Sequence, residues 1–355
     1  MARPFLSVLI DTYNHEKFIE QAIVSVLEQD FSMKDVEILV VDDGSTDRTP
    51  EILRKFEPRI RNLRKANGGQ ASAFNLAIPE CQGDIVAFLD GDDWWAKAKL
   101  KTVIPVFDAN SDIGGVGHGF YMVESEGKVV NTVLPEVERR LSARTPEGAR
   151  VFGHHRGFFG TSRMTYRRAI LEQMLPVTEG AVIEADEWLF TLAPVLADLM
   201  VLKQPLFYYR LHAGNLFLLS NREEKAHRRK YSSLAALIGN LPGKLASLGA
   251  PPEIAEPLLG QLKVETDKMR LQLDGGSRWE LYQAEKAANE MFFGRSPLGY
   301  RVFKRFTLLL TLVVPPKQFF RLKRWYEKNG LHGVRKWIGN PVNSGHAVER
   351  PTHEG

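Results

Sequence analysis

The sequence predicts an α/β protein in which a mostly parallel sheet is flanked by helices and followed by a helical C-terminal extension. Short apolar runs alternate with amphipathic stretches through the first hundred residues, a pattern typical of β-α-β units. A helical apolar periodicity then extends over residues 222–293. The chain has 355 residues, of which 44% are hydrophobic and 25% charged, so it is long and apolar enough to bury a sizeable core.

Local patterns predict each element of the first hundred residues. Continuous apolar runs predict three buried strands, at 6–10, 36–41 and 85–89. Apolar residues at i, i+4 spacing predict a first helix over 18–27, and a threonine followed by proline starts a second helix at 50–56. The turn Asn67-Gly68-Gly69 precedes a third helix at 70–78.

After residue 97 the predicted elements are less regularly spaced. We expect helices at 97–110, 166–174 and 184–198, strands at 115–123, 128–134 and 201–211, and a polar loop over 135–150. Glycine and proline are expected to break the helical stretch 222–293 at 241–243 and at 249–252. The chain therefore divides into an α/β unit at 1–218, a helical extension at 219–294, a basic amphipathic segment at 295–340 and a disordered tail at 341–355.

Cysteine content and charge exclude several classes of protein. Cys81 is the only cysteine, so no intramolecular disulfide or zinc-type cluster is expected, and a reducing, cytoplasmic setting is the default. The net charge of +4 is uneven: eleven basic residues and one acid give 295–340 a charge of +10, which leaves −6 for the rest. The longest apolar run, 306–314, is shorter than the ~20 residues that cross a bilayer as a helix.

The basic segment 295–340 mixes cations with apolar and aromatic residues. Among them are Phe306, Phe319, Trp325 and Trp337. This composition favours a helix that lies on an anionic membrane surface, and equally a helix packed on the α/β unit. No nucleic-acid-reading module accompanies the segment, so no nucleic-acid partner is expected.

Two predicted strands end in clustered carboxylates. Asp42 and Asp43 follow the strand at 36–41, and Asp90 and Asp92 follow the strand at 85–89. The carboxyl ends of parallel strands meet at one edge of the sheet, where open α/β sheets bind ligands. Two carboxylates separated by one glycine can hold a divalent cation, and hard oxygen ligands suit Mg²⁺ or Mn²⁺. The alternative is an acidic turn that only satisfies backbone amides.

Further motifs join these acids in an ordered series. The series consists of Ser-Val-Leu-Ile-Asp-Thr-Tyr-Asn at 7–14, Val-Asp-Asp-Gly-Ser-Thr-Asp at 41–47, Asn67-Gly68-Gly69 with Asn75, and Phe-Leu-Asp-Gly-Asp-Asp at 88–93. In this order and spacing the chain resembles glycosyltransferase family 2, the inverting, nucleotide-sugar-dependent enzymes with a GT-A fold. The resemblance is strong over about 5–125, extends to 155–215 and is absent afterwards. It implies a nucleotide-sugar half at about 1–110 and an acceptor half at about 111–218.

The resemblance implies that the loop after the first strand lies along the nucleotide base. Its candidate contacts are Thr12, Tyr13, Asn14 and Glu16, although Asp11 stands where the family commonly has proline.

The second strand and the turn after it complete the base site that the resemblance implies. Asp43 would accept a hydrogen bond from the base edge, which favours a uracil imide and hence a UDP-sugar donor. The loop at Asn67 would close over the nucleotide, although the basic residue often found in that loop is missing.

For the D-x-D motif, the resemblance assigns Asp90 to the ribose and Asp92 to a Mn²⁺ or Mg²⁺ ion that bridges the two phosphates. Such an ion stabilises the negative charge that develops on the departing diphosphate. His212 resembles a C-terminal histidine that in some members of the family reaches the metal or the pyrophosphate; the alternative for His212 is a hydrogen-bonded structural residue.

An inverting transfer also needs a base that removes the proton of the acceptor hydroxyl. The segment Glu-Ala-Asp-Glu-Trp at 184–188 resembles the family's acidic motif at the start of the acceptor-side helix, and it puts Asp186 in the base position. Glu184 and Glu187 are rivals, and Trp188 is a candidate sugar-stacking platform. The alternatives are that these acids only complement the helix dipole and that Trp188 is a core residue.

The implied function is transfer of a sugar, with inversion, from a nucleotide-diphosphate donor to a hydroxyl of a saccharide or lipid-linked saccharide. The implied setting is cell-envelope or extracellular polysaccharide synthesis, in the cytoplasm or on the inner face of its membrane. A sugar-phosphate nucleotidyltransferase is one alternative, but the loop 11–14 lacks the glycine-rich basic sequence that would hold a triphosphate. A non-catalytic nucleotide- or sugar-binding module is another alternative. Such a module would not need to keep all four acids of the site, Asp43, Asp90, Asp92 and Asp186.

Overall fold

The computed structural model describes residues 6–124, 127–212, 224–293 and 298–329. The strands are β1 Leu6–Thr12, β2 Val36–Asp42, β3 Arg61–Arg64, β4 Ile85–Asp90, β5 Trp94–Trp95, β6 Ile113–Glu124, β7 Val129–Val133, β8 Arg139–Leu141, β9 Thr165–Arg167 and β10 Asp198–Leu211. The helices of the α/β unit are α1 Ile19–Leu27, α2 Thr49–Phe56, α3 Gln70–Glu80, α4 Lys99–Ala109, α5 Pro146–His155, α6 Arg168–Met174 and α7 Asp186–Leu196. Those that follow are α8 Glu224–Ser247, α9 Pro252–Leu273, α10 Arg278–Phe293, α11 Leu298–Leu310 and α12 Pro316–Asn329.

These strands form one sheet, parallel at one side and mixed at the other. Its order is β3-β2-β1-β4-β9-β6-β10-β5, with β7 paired to β6 and β8 paired to β10. β1, β2, β3 and β4 pair in parallel, β9 joins β4 to β6 by antiparallel pairing, and β6 and β10 are again parallel. The predicted α/β architecture, with helices on the sheet and a helical C-terminal part, is confirmed, and the sheet is mixed.

Apolar side chains that alternate along the strands divide the core into two layers. Val8 and Ile10 of β1 belong to a buried cluster with α1, α2 and α4, whereas Leu9 belongs to the cluster on the opposite side with α3, α6 and α7. Helices α8 and α9 join this second cluster through the buried residues Leu234, Leu237, Leu241, Leu245, Leu258 and Leu262. The first two helices of the extension therefore share the core of the α/β unit.

The structure corrects the predicted break at Leu241-Pro242-Gly243. Helix α8 runs through it, because Leu241 and Leu245 are fully buried and this packing outweighs the amide that Pro242 lacks. The break at 249–252 is present: Gly249, at φ +81°, follows α8, and α9 begins at Pro252.

Two further expectations of the acceptor half are corrected. The stretch 135–150 is not a continuous loop: it contains β8 and the start of α5, which Thr145 caps by accepting a hydrogen bond of 3.0 Å from the Gly148 amide. The helix expected from residue 166 begins only at Arg168, because 165–167 pair as β9 between β4 and β6.

The described part of the predicted basic segment 295–340 is α11 and α12. Phe319 and Phe320 of α12 pack in a third apolar cluster with Leu271 and Leu281, and Glu285 of α10 lies 3.2 Å from both Lys268 and Lys323. None of the described helices is long and apolar enough to cross a membrane. Residues 330–340 and the predicted tail at 341–355 lie outside the described residues.

Candidate functional site

Strand register brings the predicted acids to one edge of the sheet. Asp11 at the end of β1 is paired with Asp90 at the end of β4, and Thr12 is paired with Asp42 at the end of β2. The turns that follow β2 and β4 therefore open at the same edge. This is the position at which parallel α/β sheets bind ligands.

The loop after β1 offers one exposed aromatic ring. Tyr13 is 40% exposed, whereas Thr12 is buried and its Oγ1 lies 3.2 Å from Nδ1 of His15. Of these two predicted base contacts, Tyr13 presents a side chain for stacking, whereas Thr12 is buried and its carbonyl accepts a hydrogen bond of 2.9 Å from the Asp43 amide.

Asn14 and Glu16 tie the same loop to the loop after β2. The backbone N–H of Asn14, a residue at φ +55°, donates a hydrogen bond of 2.8 Å to Ser45 Oγ. The side-chain Oδ1 of Asn14 accepts a hydrogen bond of 2.8 Å from the backbone N–H of Thr46. Glu16 accepts a hydrogen bond of 3.1 Å from the Arg48 amide. Both predicted nucleotide contacts therefore hold the rim of the site.

Asp43 organises the Asn67 loop. Its carboxylate accepts hydrogen bonds from Lys65 Nζ at 2.6 Å, Asn67 Nδ2 at 3.2 Å, and the amides of Gly68 at 3.0 Å and Gly69 at 2.7 Å. Gly69 is at φ +83°, and a Cβ there would lie 2.5 Å from the Val182 carbonyl oxygen, so the loop needs glycine at this point. The predicted residues Asp43 and Asn67 lie together, but the carboxylate is already fully hydrogen-bonded.

Asp90 and Asp93 share a hydroxyl. Ser162 Oγ lies 3.1 Å from Asp90 Oδ2 and 2.8 Å from Asp93 Oδ2, and the Arg210 amide donates to Asp93 Oδ1 at 3.0 Å. Burial, and then repulsion by neighbouring carboxylates, raises the pKa of both Asp90 and Asp93 well above its ordinary value. The amide Nε2 of Gln70 lies 3.3 Å from Asp90 Oδ1.

Asp92 is the acid of the motif that imidazoles surround. Its Oδ2 lies 3.0 Å from His212 Nε2 and 3.9 Å from His15 Nε2. Burial acts to raise the pKa of Asp92, but the hydrogen bond from His212 and the charge of His15 outweigh it and lower the pKa. The two residues predicted as metal ligands, Asp92 and His212, are therefore brought together.

The donor set at Asp92 suits a cation that also binds phosphate. A search of the described residues finds no group of three or more His, Cys, Asp and Glu side chains arranged to hold a metal. Mg²⁺ and Mn²⁺ sites commonly take one or two protein ligands and fill the remaining positions with phosphate oxygens and water. One carboxylate and one imidazole fit that requirement, and Mn²⁺ accepts both ligand types.

Asp186, the predicted base, is the first residue of α7 and lies close to Asp90 of the D-x-D motif. Its Oδ2 accepts a hydrogen bond of 3.0 Å from the Thr161 amide. Burial raises the pKa of the Asp186 carboxyl, and the positive charge of Arg163 opposes this rise. Because Thr161 and Ser162 are consecutive, one short turn contacts both Asp186 and the Asp90–Asp93 pair.

Glu184, the first alternative to Asp186 as the base, forms an ion pair with the helical extension. It stands at φ +58°, and its Oε1 lies 2.7 Å from Lys230 Nζ of α8, which is also 2.9 Å from Glu265 of α9. Burial raises the pKa of Glu184 to about 7 in spite of Lys230. This carboxyl is engaged away from the D-x-D motif.

The other acceptor-side candidates are also engaged. Glu187 forms an ion pair with the buried Arg156, whose guanidinium donates to the Leu258 carbonyl of α9 at 3.3 Å. Trp188 is 4% exposed and its indole donates to the Met174 carbonyl at 2.8 Å, so its ring is a core element. Asp186 is the acid of this segment that the turn 161–163 links to Asp90, whose pKa its charge helps to raise.

Several side chains of the site were given no role from the sequence. Lys65 supplies the basic group that the Asn67 loop was expected to lack; it precedes the loop by two residues, and its spacing from Asn67 is the signal that could have found it. Gln70 accepts a hydrogen bond of 2.9 Å from the Ala185 amide while its Nε2 faces Asp90, so it joins the donor acids to the Asp186 loop. Ser162 and Arg163 carry no local signal in the sequence, because only tertiary packing brings the turn before β9, which contains both residues, to this edge of the sheet.

Solved structures with a similar fold define the class of protein. The chain resembles Staphylococcus aureus TarS, residues 1–349, in complex with UDP, with a TM-score of 0.53 and 18% identity over 92% of each chain. It also resembles the mannosyltransferase PcManGT of Pyrobaculum calidifontis in complex with GDP-Man and Mn²⁺, with a TM-score of 0.51 and 18% identity over 92% of this chain and 85% of that one. The fold is therefore that of the GT-A glycosyltransferases.

Sequence comparison identifies the family. The family model described as "Glycosyl transferase family 2" matches residues 7–175. The uncharacterized glycosyltransferase alr2836 of Nostoc sp. is 34% identical over 218 residues, which span 59% of this chain and 66% of that protein, just under two thirds of its length. Residues 7–175 therefore match glycosyltransferase family 2, and the resemblance that the motifs predict is confirmed over this part of the chain.

Proposed function

We propose that this protein transfers a sugar, with inversion, from a nucleoside-diphosphate donor to an acceptor hydroxyl. The observation that carries the proposal is the turn 161–163. Its Thr161 amide holds Asp186, and its Ser162 hydroxyl contacts Asp90 and Asp93. A carboxylate suited to take the acceptor proton is thus fixed against the acids suited to bind the donor.

The donor is proposed to be a UDP-sugar. TarS has been solved with UDP and with UDP-GlcNAc, whereas PcManGT holds GDP-Man, so the fold accommodates either nucleotide. We assign Tyr13, whose side chain is exposed, to stacking on the base, and Asp90 to binding of the ribose. Because Asp43 already accepts from four donors, a uracil imide would take the place of one; Lys65, whose side chain is 18% exposed, is the partner best able to leave.

Asp92 and His212 are proposed to hold a divalent cation, Mn²⁺ or Mg²⁺. Such a cation, when bound, neutralises negative charge that develops on the diphosphate as it departs. The chain's own part is to keep the two ligands in contact, which the 3.0 Å approach of His212 Nε2 to Asp92 does.

Asp186 is proposed as the base. The acceptor oxygen forms the new bond to C1 of the sugar, the bond from C1 to the diphosphate oxygen breaks, and the hydroxyl proton passes to the Asp186 carboxylate. Positioned general bases contribute roughly 10²–10⁴-fold to such rates. The raised pKa of Asp186 suits this role, because a more basic carboxylate accepts the proton more readily.

The acceptor is proposed to be a saccharide or a lipid-linked saccharide of cell-envelope or extracellular polysaccharide synthesis, at the cytoplasmic side. TarS is by its name a poly(ribitol-phosphate) β-N-acetylglucosaminyltransferase, so the acceptor in its name is a hydroxyl-bearing polymer. Support for the setting comes from this likeness and from the basic C-terminal helices.

The proposal is tested by release of nucleoside diphosphate from a panel of UDP-sugars and GDP-mannose, with Mn²⁺, Mg²⁺ or chelator. We expect slow, cation-dependent hydrolysis of a UDP-sugar without any acceptor. Asp92→Asn should abolish it. Asp84→Asn changes an exposed carboxylate just before the opposite end of β4 and should leave it unchanged.

The alternatives give different results in the same assay. Binding of nucleotide without turnover of any donor would favour a non-catalytic module. Formation of a nucleotide-sugar from a nucleoside triphosphate and a sugar phosphate would favour a nucleotidyltransferase. Turnover of GDP-mannose alone would keep the transferase and overturn the UDP assignment.

A further inference from the structure

Exposed apolar side chains are concentrated in the last two described helices and the turn between them. Fourteen large apolar residues are exposed in the part of the chain that the structure describes, and eight of them lie between 298 and 325. The eight are Leu298, Val302, Phe306, Leu309, Leu312, Val313, Leu322 and Trp325. Monomeric proteins rarely leave so many apolar groups together in water, so this cluster indicates an interaction surface.

On α11 these residues form one stripe. Leu298, Val302, Phe306 and Leu309 follow one another at spacings of four, four and three residues, which places them on one face of the helix. Phe306, at the middle of the stripe, is 63% exposed. Arg305 is adjacent in the helical projection, so a cation borders the apolar stripe next to Phe306 and Leu309.

Helix α12 is anchored by one face and open on the other. Phe319 and Phe320 are buried in the third apolar cluster, and Lys323 lies 3.2 Å from the carboxylate of Glu285. On the opposite side Trp325 is 64% exposed, and the exposed Arg321 lies four residues before it. The helix is therefore fixed to the extension while it presents a tryptophan and a cation outward.

The charge of this surface selects its partner. Residues 298–325 contain seven basic residues and no acidic residue: Arg301, Lys304, Arg305, Lys317, Arg321, Lys323 and Arg324. A second copy of the same surface would meet it with like charge, which opposes self-association. An anionic bilayer accepts both properties, because apolar and tryptophan side chains enter the interface while lysine and arginine remain at the headgroups.

We propose that α11 and α12 form a docking surface for an anionic lipid membrane, on which both helices lie flat. This surface is separate from the donor site and goes beyond the proposed transfer reaction. Enzyme and a lipid-linked acceptor would then meet on the same two-dimensional surface.

The test is sedimentation of the full chain with vesicles of phosphatidylcholine alone or mixed with phosphatidylglycerol. We expect binding to the anionic vesicles that weakens as NaCl is raised, and little binding to phosphatidylcholine alone. The double variant Val302→Glu/Phe306→Glu should lower the affinity roughly tenfold or more. Val137→Glu, at another exposed apolar position, is the matched control and should bind normally.

A second variant, Arg301→Gln/Arg305→Gln, removes charge and keeps the apolar stripe, and should weaken binding to the anionic vesicles only. Circular dichroism and donor hydrolysis without vesicles show that each variant is folded. Equal binding to both vesicle types, no binding by the unmodified chain, or full binding by Val302→Glu/Phe306→Glu would overturn the proposal. So would a dimer in light scattering that this variant dissociates. Because donor hydrolysis is measured without vesicles, its failure is distinguishable from failure of docking.

Discussion

The proposed donor half and the proposed acceptor side of this protein are held in different ways. In the proposed donor half, Asp11 is paired with Asp90 and Thr12 with Asp42 because β1, β2 and β4 are neighbouring parallel strands, so strand register brings these positions to one edge. On the acceptor side, the loop before α7 depends on groups far away in the chain, in the turn 161–163 and in α8 and α9. The proposed donor site therefore depends on strand pairing, and the proposed acceptor site depends on tertiary packing.

This difference coincides with the extent of the family match. The match covers 7–175 and ends before Asp186 and before the helical extension. Lys230 of α8 pairs with Glu184, and Arg156, which donates to a carbonyl of α9, pairs with Glu187. We infer that the extension braces the loop that carries Asp186, the proposed base.

Among variants outside the proposed base and cation site, the largest expected effect is that of removing this brace. Lys230→Met leaves Glu184 and Glu265 without their shared cation, and breaking such a buried pair should lower the free energy of unfolding by about 3 kcal/mol. We also expect donor turnover to fall roughly tenfold while nucleotide affinity stays the same, because the base loop moves and the sheet edge does not. Chemical denaturation and calorimetric UDP titration measure the two effects.

The matched control lies on the same helix. Arg228→Met removes exposed ion pairs to Glu224 and Asp274, which contribute at most about 1 kcal/mol. If Lys230→Met weakened UDP binding as much as it weakened turnover, the sheet edge and the loop before α7 would not be stabilised independently.

A smaller effect is expected where the two sides meet. Ser162→Ala removes the hydroxyl that lies between Asp90 and Asp93 and leaves buried carboxylate oxygens with fewer partners, at a cost of about 1–2 kcal/mol. Unlike the brace variant, it should raise the Kd for nucleotide. Ser247→Ala, at the exposed end of α8, is the control. Unchanged nucleotide affinity would contradict the placement of Ser162 in the donor site.

The smallest expected effect is a shift in pH dependence. Asp186 acts as a base only when ionised, so turnover should fall as the pH is lowered through its raised pKa. Arg163 favours the ionised form; Arg163→Met should therefore move the acidic limb of the rate profile upward by about one pH unit, and Arg163→Lys should restore it. If the acidic limb of the rate profile lies at the same pH in Arg163→Met, a group other than Asp186 determines it.

Much of the donor half could be predicted from sequence because its signals are local. Asp90 and Asp92 directly follow an apolar run, and parallel pairing converts that position into a place at the sheet edge. Strand β3, with the sequence Arg-Asn-Leu-Arg, was not predicted because it has no apolar run; pairing with β2 supplies what its composition lacks.

The acceptor side resisted prediction because its contacts are tertiary. Nothing adjacent in sequence indicates that Thr161 and Ser162 bridge Asp186 and Asp90 across β9 and α7. Similarly, Pro242 predicts a helix break from the local sequence, but the packing of the buried leucines on either side of it keeps α8 continuous. Trp188 could not be assigned to core or surface until its indole was found on the Met174 carbonyl.

The most direct test of the account separates donor binding from turnover in two variants. Asp186→Asn should bind UDP with Mn²⁺ as the unmodified chain does and lose roughly 10²–10⁴-fold in turnover of the UDP-sugar. Asp92→Asn should lose cation-dependent binding as well as turnover. The account is contradicted if Asp186→Asn turns the donor over at the normal rate, or if it loses UDP binding together with activity.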